Sequence, residues 1–101
     1  MTSYRLTPAA QADLSSIWDF TCERWDIRQA EVYIGEIRAA IERIAADPRR
    51  GHPCDEIRHG YRRYAIGSHL VFYVARDDGV DVIRVLHQRM DPTRHVPASN
   101  G

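Results

Sequence analysis

Residues 61–88, "YRRYAIGSHLVFYVARDDGVDVIRVLHQ", decide the fold. Three runs in this stretch, Tyr61 to Ile66, His69 to Arg76 and Val80 to Gln88, are rich in β-branched and aromatic residues. Gly67-Ser68 and Asp77-Asp78-Gly79 fall between them, where the chain needs tight hairpin turns. The pattern predicts an antiparallel three-strand meander. Ser3 to Thr7, far upstream, reads as one more short strand.

Between that first strand and the meander the hydrophobic period changes from two to between three and four residues. Thr7-Pro8 has the form of an N-cap followed by proline at the first helical position, where a missing N–H costs nothing. Leu14, Ile17, Trp18, Cys22 and Trp25 then form one stripe and are expected in the core. Asp26 and Gln29 are spaced as a capping box for a second helix. Its face of Ile34, Ile37, Ile41 and Ile44 runs to Asp47-Pro48, where proline stops it. Two amphipathic helices with so short a joint must pair antiparallel. "PRRGHPCDEIRHG", residues 48–60, reads as loop. The expected architecture is α+β, β-α-α-β-β-β, two layers, with a helical hairpin on one face of a mainly antiparallel four-stranded sheet. Residues 1–96 make one domain, and residues 97–101 are expected to be a tail.

A two-residue Gly67-Ser68 turn sets Ile66 opposite His69, Tyr64 opposite Val71 and Arg62 opposite Tyr73. Leu70, Phe72 and Val74 then point the other way, and that side is assigned to the helices. If Asp77-Asp78-Gly79 is a three-residue loop, Ile83, Val85, His87 and Arg89 join Arg62, Tyr64, His69 and Tyr73 on an open face. A two-residue Asp78-Gly79 turn would send the last set to the helices instead, because a slip of one residue inverts a strand. On the first register, which we prefer, the open face mixes Tyr, Val, Ile, Arg and His. Such a surface marks a partner site, unless the chain's own tail or a second copy covers it.

Bulk properties narrow the classes. A chain of 101 residues has room for one domain. No run of about 18 apolar residues exists, so no membrane span is expected. The first residues, "MTSYRLTPAAQ", lack the basic and apolar segments of a signal peptide, which points to the cytoplasm. Cys22 and Cys54 are expected as reduced structural residues. The formal net charge is zero, yet residues 1–47 hold five Arg against eight acidic residues, −3, and residues 48–101 hold nine against six, +3. All five His lie in the second part. That asymmetry suits either a polarised surface with an acidic partner or a solvated face.

Chemistry could be built from His69, His87, Arg62 and Arg89 as acid, base and phosphate clamp for RNA cleavage. A histidine at a strand end is more often a hydrogen-bonded structural group. His52, Cys54, Asp55 and His59 share a loop, but their spacing matches no tetrahedral metal set. No glycine-rich nucleotide loop and no G-x-S-x-G elbow occurs, and no cofactor or metal is expected.

The stretches "YRLTPAAQADLSSIWDFTCERWDIRQAEVYIGEI", "GYRRYAIGSHLVFYV" and "VIRVLHQRMDP" together resemble a ParE-type toxin of the RelE/ParE superfamily of bacterial toxin–antitoxin modules, over about Tyr4 to Asp91. "SHLVFYV" followed by "RVLHQRMD" is the most specific part. The resemblance implies the same fold, a ParD-like antitoxin that covers the toxin in a hetero-oligomer, and inhibition of DNA gyrase without enzymatic chemistry. It implies neither a membrane nor strong direct nucleic-acid binding. On this reading Arg62, Tyr64, His69, Tyr73, His87, Arg89 and Asp91 contact partners. Asp91 and Pro92 also direct the tail, unless Asp91 pairs internally with Arg84 or Arg63. RelE-type relatives instead cut mRNA on the ribosome, and the matching basic positions would be Arg62, His69 and Arg89. The C-terminal tyrosine of that pattern is missing, with His95 near its place, and the chain is neutral where RelE-type enzymes are strongly basic. An inert antitoxin-binding relative is the third expectation.

Overall fold

A computed structural model describes residues 3–96, and in it each long helix begins where the sequence supplies a cap. After strand β1 (Ser3–Leu6), Thr7 accepts a hydrogen bond from Ala10 N at 3.1 Å and starts α1 (Pro8–Arg24). Asp26 accepts from Gln29 N at 2.8 Å and starts α2 (Ile27–Ala46). These bonds satisfy amide groups that have no intrahelical partner. A short 3-10 turn, Pro48–Arg50, leads into β2 (His52–Pro53), and β3 (Tyr61–Ile66), β4 (His69–Arg76) and β5 (Gly79–His87) follow. One helical turn, α3 (Pro92–His95), closes the described chain. The expected tail at 97–101 lies outside the described residues.

The sheet has five strands in the order β1-β5-β4-β3-β2. The class is the expected α+β helical hairpin on a mainly antiparallel sheet, and the additional strand is the His52–Pro53 edge pairing with Arg62 and Arg63. β1 runs parallel to β5. Gly79 permits that pairing: a Cβ there would sit 1.6 Å from Ser3 O.

The Gly67-Ser68 turn is as expected, with Ile66 opposite His69, Tyr64 opposite Val71 and Arg62 opposite Tyr73. The second hairpin differs from both expectations. Arg76 pairs with Gly79 across a two-residue Asp77-Asp78 turn, and a bulge then shifts the register between Phe72 and Tyr73. One extra residue on β5 restores the Val71–Val85 and His69–His87 pairs of the preferred register, while Tyr73 faces Val82 in place of Ile83.

The assignment of faces is corrected. Val71, Tyr73, Val80, Val82 and Val85 pack with Ile17, Ile37, Ile41 and Ile44, and Tyr64 and Ile66 join them, so this side lies under the helices. Leu70, Phe72 and Val74 point to the opposite side, into a second cluster with Cys54, Tyr61, Leu86 and Val96. The physical reason is that both faces are covered. The loop from Cys54 to Tyr61 and the turn of α3, which delivers Val96, shield the side expected to meet the helices. Leu70, Phe72 and Val74 therefore need no helix, and the tyrosine-bearing side gains hydroxyl partners beneath one. Tyr73 is 0% exposed; its hydroxyl donates to Pro48 O at 2.6 Å and accepts from Gly51 N at 2.9 Å. Burial raises its pKa.

Trp25 is a second correction. It was expected in the core stripe with Leu14 and Ile17, but it is 68% exposed. The helix ends at Arg24 and Trp25 is its non-helical cap, so the helical period no longer aims that side chain inward.

Candidate functional site

The helix-side face of the sheet is sealed by α1 and α2 over most of its length and opens at the end where the helical hairpin turns. Gly67, with φ +56, makes the tight β3–β4 turn that puts His69 at the start of β4. His87, at the end of β5, is its cross-strand partner, and the two rings meet edge to face with centroids 5.3 Å apart. Tyr33 reaches down from α2, its ring 5.5 Å from that of His69. Its hydroxyl lies 2.6 Å from His69 Nδ1 and 3.3 Å from Ile66 O, and it accepts from Ser68 N at 3.2 Å.

The short contact ties Nδ1 of the neutral His69 ring to Tyr33, whose hydroxyl also lies within donating reach of Ile66 O. Burial, then the neighbouring His87, lowers the His69 pKa, with Asp13 opposing, which favours that neutral form. His87 Nδ1 accepts from Arg89 N at 3.1 Å, so the neutral His87 ring carries its proton on Nε2. The crevice around the pair has a volume of about 280 Å³ and is walled on its helical side by Phe20, Arg24 and Trp25. Phe20 is 63% exposed, and Ile27, just beyond the joint, is 62% exposed. Phe20 and Trp25 thus stand together beside the crevice as exposed large apolar side chains.

The other expected site residues are dispersed. Arg62 is half-buried on the helix-side face of β3, donating to Gly51 O at 2.7 Å. Its partner Tyr73 is four residues from His69 along β4, roughly 13 Å at strand spacing. Arg62, His69 and Arg89 therefore form no single cradle. Tyr64 packs against the main core, and Tyr73 has no surface to offer. Arg89 is exposed just past β5. Asp91 is exposed and caps α3, accepting from Thr93 N at 3.0 Å and Thr93 Oγ1 at 2.8 Å, which hold its pKa below the usual carboxylate range. It pairs with neither Arg84 nor Arg63; with Pro92 it directs the chain into the turn that seats Val96.

Arg84 instead meets Asp13 of α1 in a two-pronged pair at 2.7 and 2.8 Å, and it donates to His95 O at 2.9 Å. Asp13 also accepts from Val85 N at 2.9 Å. Sequence reasoning missed Tyr33, Phe20, Arg24 and Asp13. Only Asp13, an acidic residue one position before the apolar stripe, carried any signal. The loop residues His52, Cys54, Asp55 and His59 do not converge: Cys54 is buried in the second cluster while His59 is exposed. Among the described residues no three metal-binding side chains come together, and no helix is long and apolar enough to cross a membrane.

Comparison with known proteins decides the family. The family described as "ParE toxin of type II toxin-antitoxin system, parDE" matches residues 4–92. The chain belongs to the ParE toxin family. A toxin named ParE1 from Mycobacterium tuberculosis is 55% identical over 94 residues, covering 92% of this chain and 96% of that one. Toxin ParE1 of Caulobacter vibrioides is 47% identical over 96 residues, covering 95% and 99%. A solved structure titled "Chromosomal ParDE TA system from P. aeruginosa" superposes with a TM-score of 0.74 at 17% identity, over 86% of this chain and 96% of that one, and shares the fold. As a ParE toxin of a type II system, this chain has an antitoxin as counterpart.

Proposed function

We propose that this ParE-family chain works in the cytoplasm as a binding toxin: a ParD-like antitoxin holds it silent, and the freed protein inhibits DNA gyrase without catalysing a reaction. The supporting observation is the pair Phe20 and Trp25, each more than 60% exposed, at the mouth of the His69–His87 crevice. Aromatic anchors beside a recess are what protein interfaces use, and each contributes on the order of 2 kcal/mol when fully covered. A ribonuclease reading would need Arg62, His69 and Arg89 around one phosphate, and their separation speaks against it.

Expression of the full chain from a tightly controlled promoter tests this, with DNA-damage response, protein synthesis and growth followed together. Induced DNA damage with translation intact, and rescue by the antitoxin, is the expected result. Trp25→Ser is expected to reduce toxicity while leaving the fold intact. Prompt translation arrest with cleaved mRNA would replace the proposal with the RelE-type reading, and unimpaired growth would leave an inert antitoxin-binding relative.

A further inference from the structure

The crevice holds an unusual set of groups for a pocket beside an apolar patch. Both imidazoles commit Nδ1 internally, His69 to Tyr33 and His87 to the Arg89 amide, and because His87 Nδ1 accepts that amide, His87 keeps Nε2–H as a free donor. Arg24 adds a guanidinium at the rim, and none of the described side chains that line the space is acidic. A guanidinium and an imidazole N–H thus face one space beside the exposed rings of Phe20 and Trp25. A carboxylate is the complementary group, because its two oxygens accept from several N–H donors and its charge meets Arg24. A nucleic acid fits less well, since one guanidinium between aromatic walls offers little phosphate neutralisation.

We infer that this crevice seats a carboxylate side chain of the antitoxin, with a bulky apolar residue of the same antitoxin segment lying on Phe20 and Trp25. The occupant is set by charge and surface type together: donors at the back, a cation at the rim and exposed aromatics outside match an acidic amphipathic segment. Arg24 and His87 then select the register of that segment, and Tyr33 holds the His69 ring in place beside them. The inference rests on the antitoxin pairing proposed above.

A double-mutant cycle with purified full-length proteins tests it, using the antitoxin encoded beside this chain's gene. His87→Phe keeps the ring volume and removes the N–H; Arg24→Gln, at an exposed helix end, serves as the second variant should the first lose its fold by circular dichroism. Each carboxylate in the toxin-binding part of the antitoxin is replaced singly by its amide, and affinities are measured by calorimetry. One amide substitution should weaken binding to the unaltered toxin by about tenfold or more, and binding to His87→Phe or Arg24→Gln by less than about twofold. If every amide substitution costs the same against altered and unaltered toxin, the crevice holds no carboxylate, and the tight complex leaves the antitoxin pairing standing. If the unaltered toxin does not bind this antitoxin at all, the pairing fails and the inference falls with it.

Discussion

Asp13→Ala should destabilise the protein more than any other change at a single surface-accessible carboxylate. β1 covers β5 only from Gly79 to Val82, and beyond the bulge the β5 edge would lie open. The start of α1 closes it: Thr7 N donates to Val82 O at 3.1 Å, Thr7 Oγ1 donates to Ile83 O at 2.7 Å, and Asp13 accepts from Val85 N. The Arg84 and Asp13 side chains are only 20% and 13% exposed, between the surface and buried limits for an ion pair. Truncation leaves the Val85 amide without its acceptor, costing about 1–3 kcal/mol. Stranding the Arg84 guanidinium adds about 2 kcal/mol, midway between exposed and buried pairs. The expected loss is therefore roughly 3–5 kcal/mol, a large part of the stability of a domain this size. Asp13→Asn keeps an oxygen for Val85 and should lose about half as much. Arg84→Met keeps the Asp13–Val85 bond and should also fall between the two extremes. Urea unfolding at neutral pH, followed by the fluorescence of Trp18 and Trp25, reads all three. An Asp13→Ala midpoint equal to that of Asp13→Asn, or a loss under about 1 kcal/mol, would refute the edge-sealing role.

Two further outcomes follow from buried hydroxyl and imidazole groups. Tyr73→Phe removes the hydroxyl that bonds Pro48 O and Gly51 N, and it should cost about 1–3 kcal/mol in the same unfolding assay without changing the secondary structure. The lowered His69 pKa means the unfolded chain binds a proton more readily than the folded one. Stability should thus fall as pH drops below the ordinary imidazole value of about 6.5, levelling once the folded His69 is also protonated. His69→Gln should flatten that part of a stability-versus-pH curve, and an unchanged slope would refute the assignment to His69.

How much of this was legible in the sequence depends on whether the signal was local. Thr7-Pro8, Asp26 with Gln29, and Gly67-Ser68 act through neighbours within a few residues, and each does what its residue types require. The bulge opposite Phe72 and Tyr73 leaves no such mark, since Ile83 and Val82 are equally good strand residues. The face assignment failed for a related reason. Leu70, Phe72 and Val74 are more uniformly apolar than Val71, Tyr73 and His69, but alternation separates faces only when one of them meets water. Here Cys54, Ile57 and Val96, in stretches that read as loop and chain end, form a second small core. A sheet covered twice carries apolar residues on both sides, so hydropathy alone could not say which side the helices take.

Turning the sheet over also changes where a partner can act. A bare sheet face would have offered a broad surface with Tyr64, Tyr73 and Arg62 at its centre, and those residues instead hold the chain's own core and loops together. At its open end that face presents its last cross-strand pair, His69 and His87, at the mouth of a crevice walled on one side by the helical hairpin. On the proposed binding role recognition is concentrated in a few anchors, and interfaces of that kind lose most of their affinity to one or two substitutions. The same reasoning separates two kinds of inactivating change. Substitutions at Tyr73 or Asp13 should silence the protein by unfolding it, whereas changes at Trp25 or Phe20 should leave its unfolding midpoint near that of the original, because side chains more than 60% exposed contribute little to the folded state they leave.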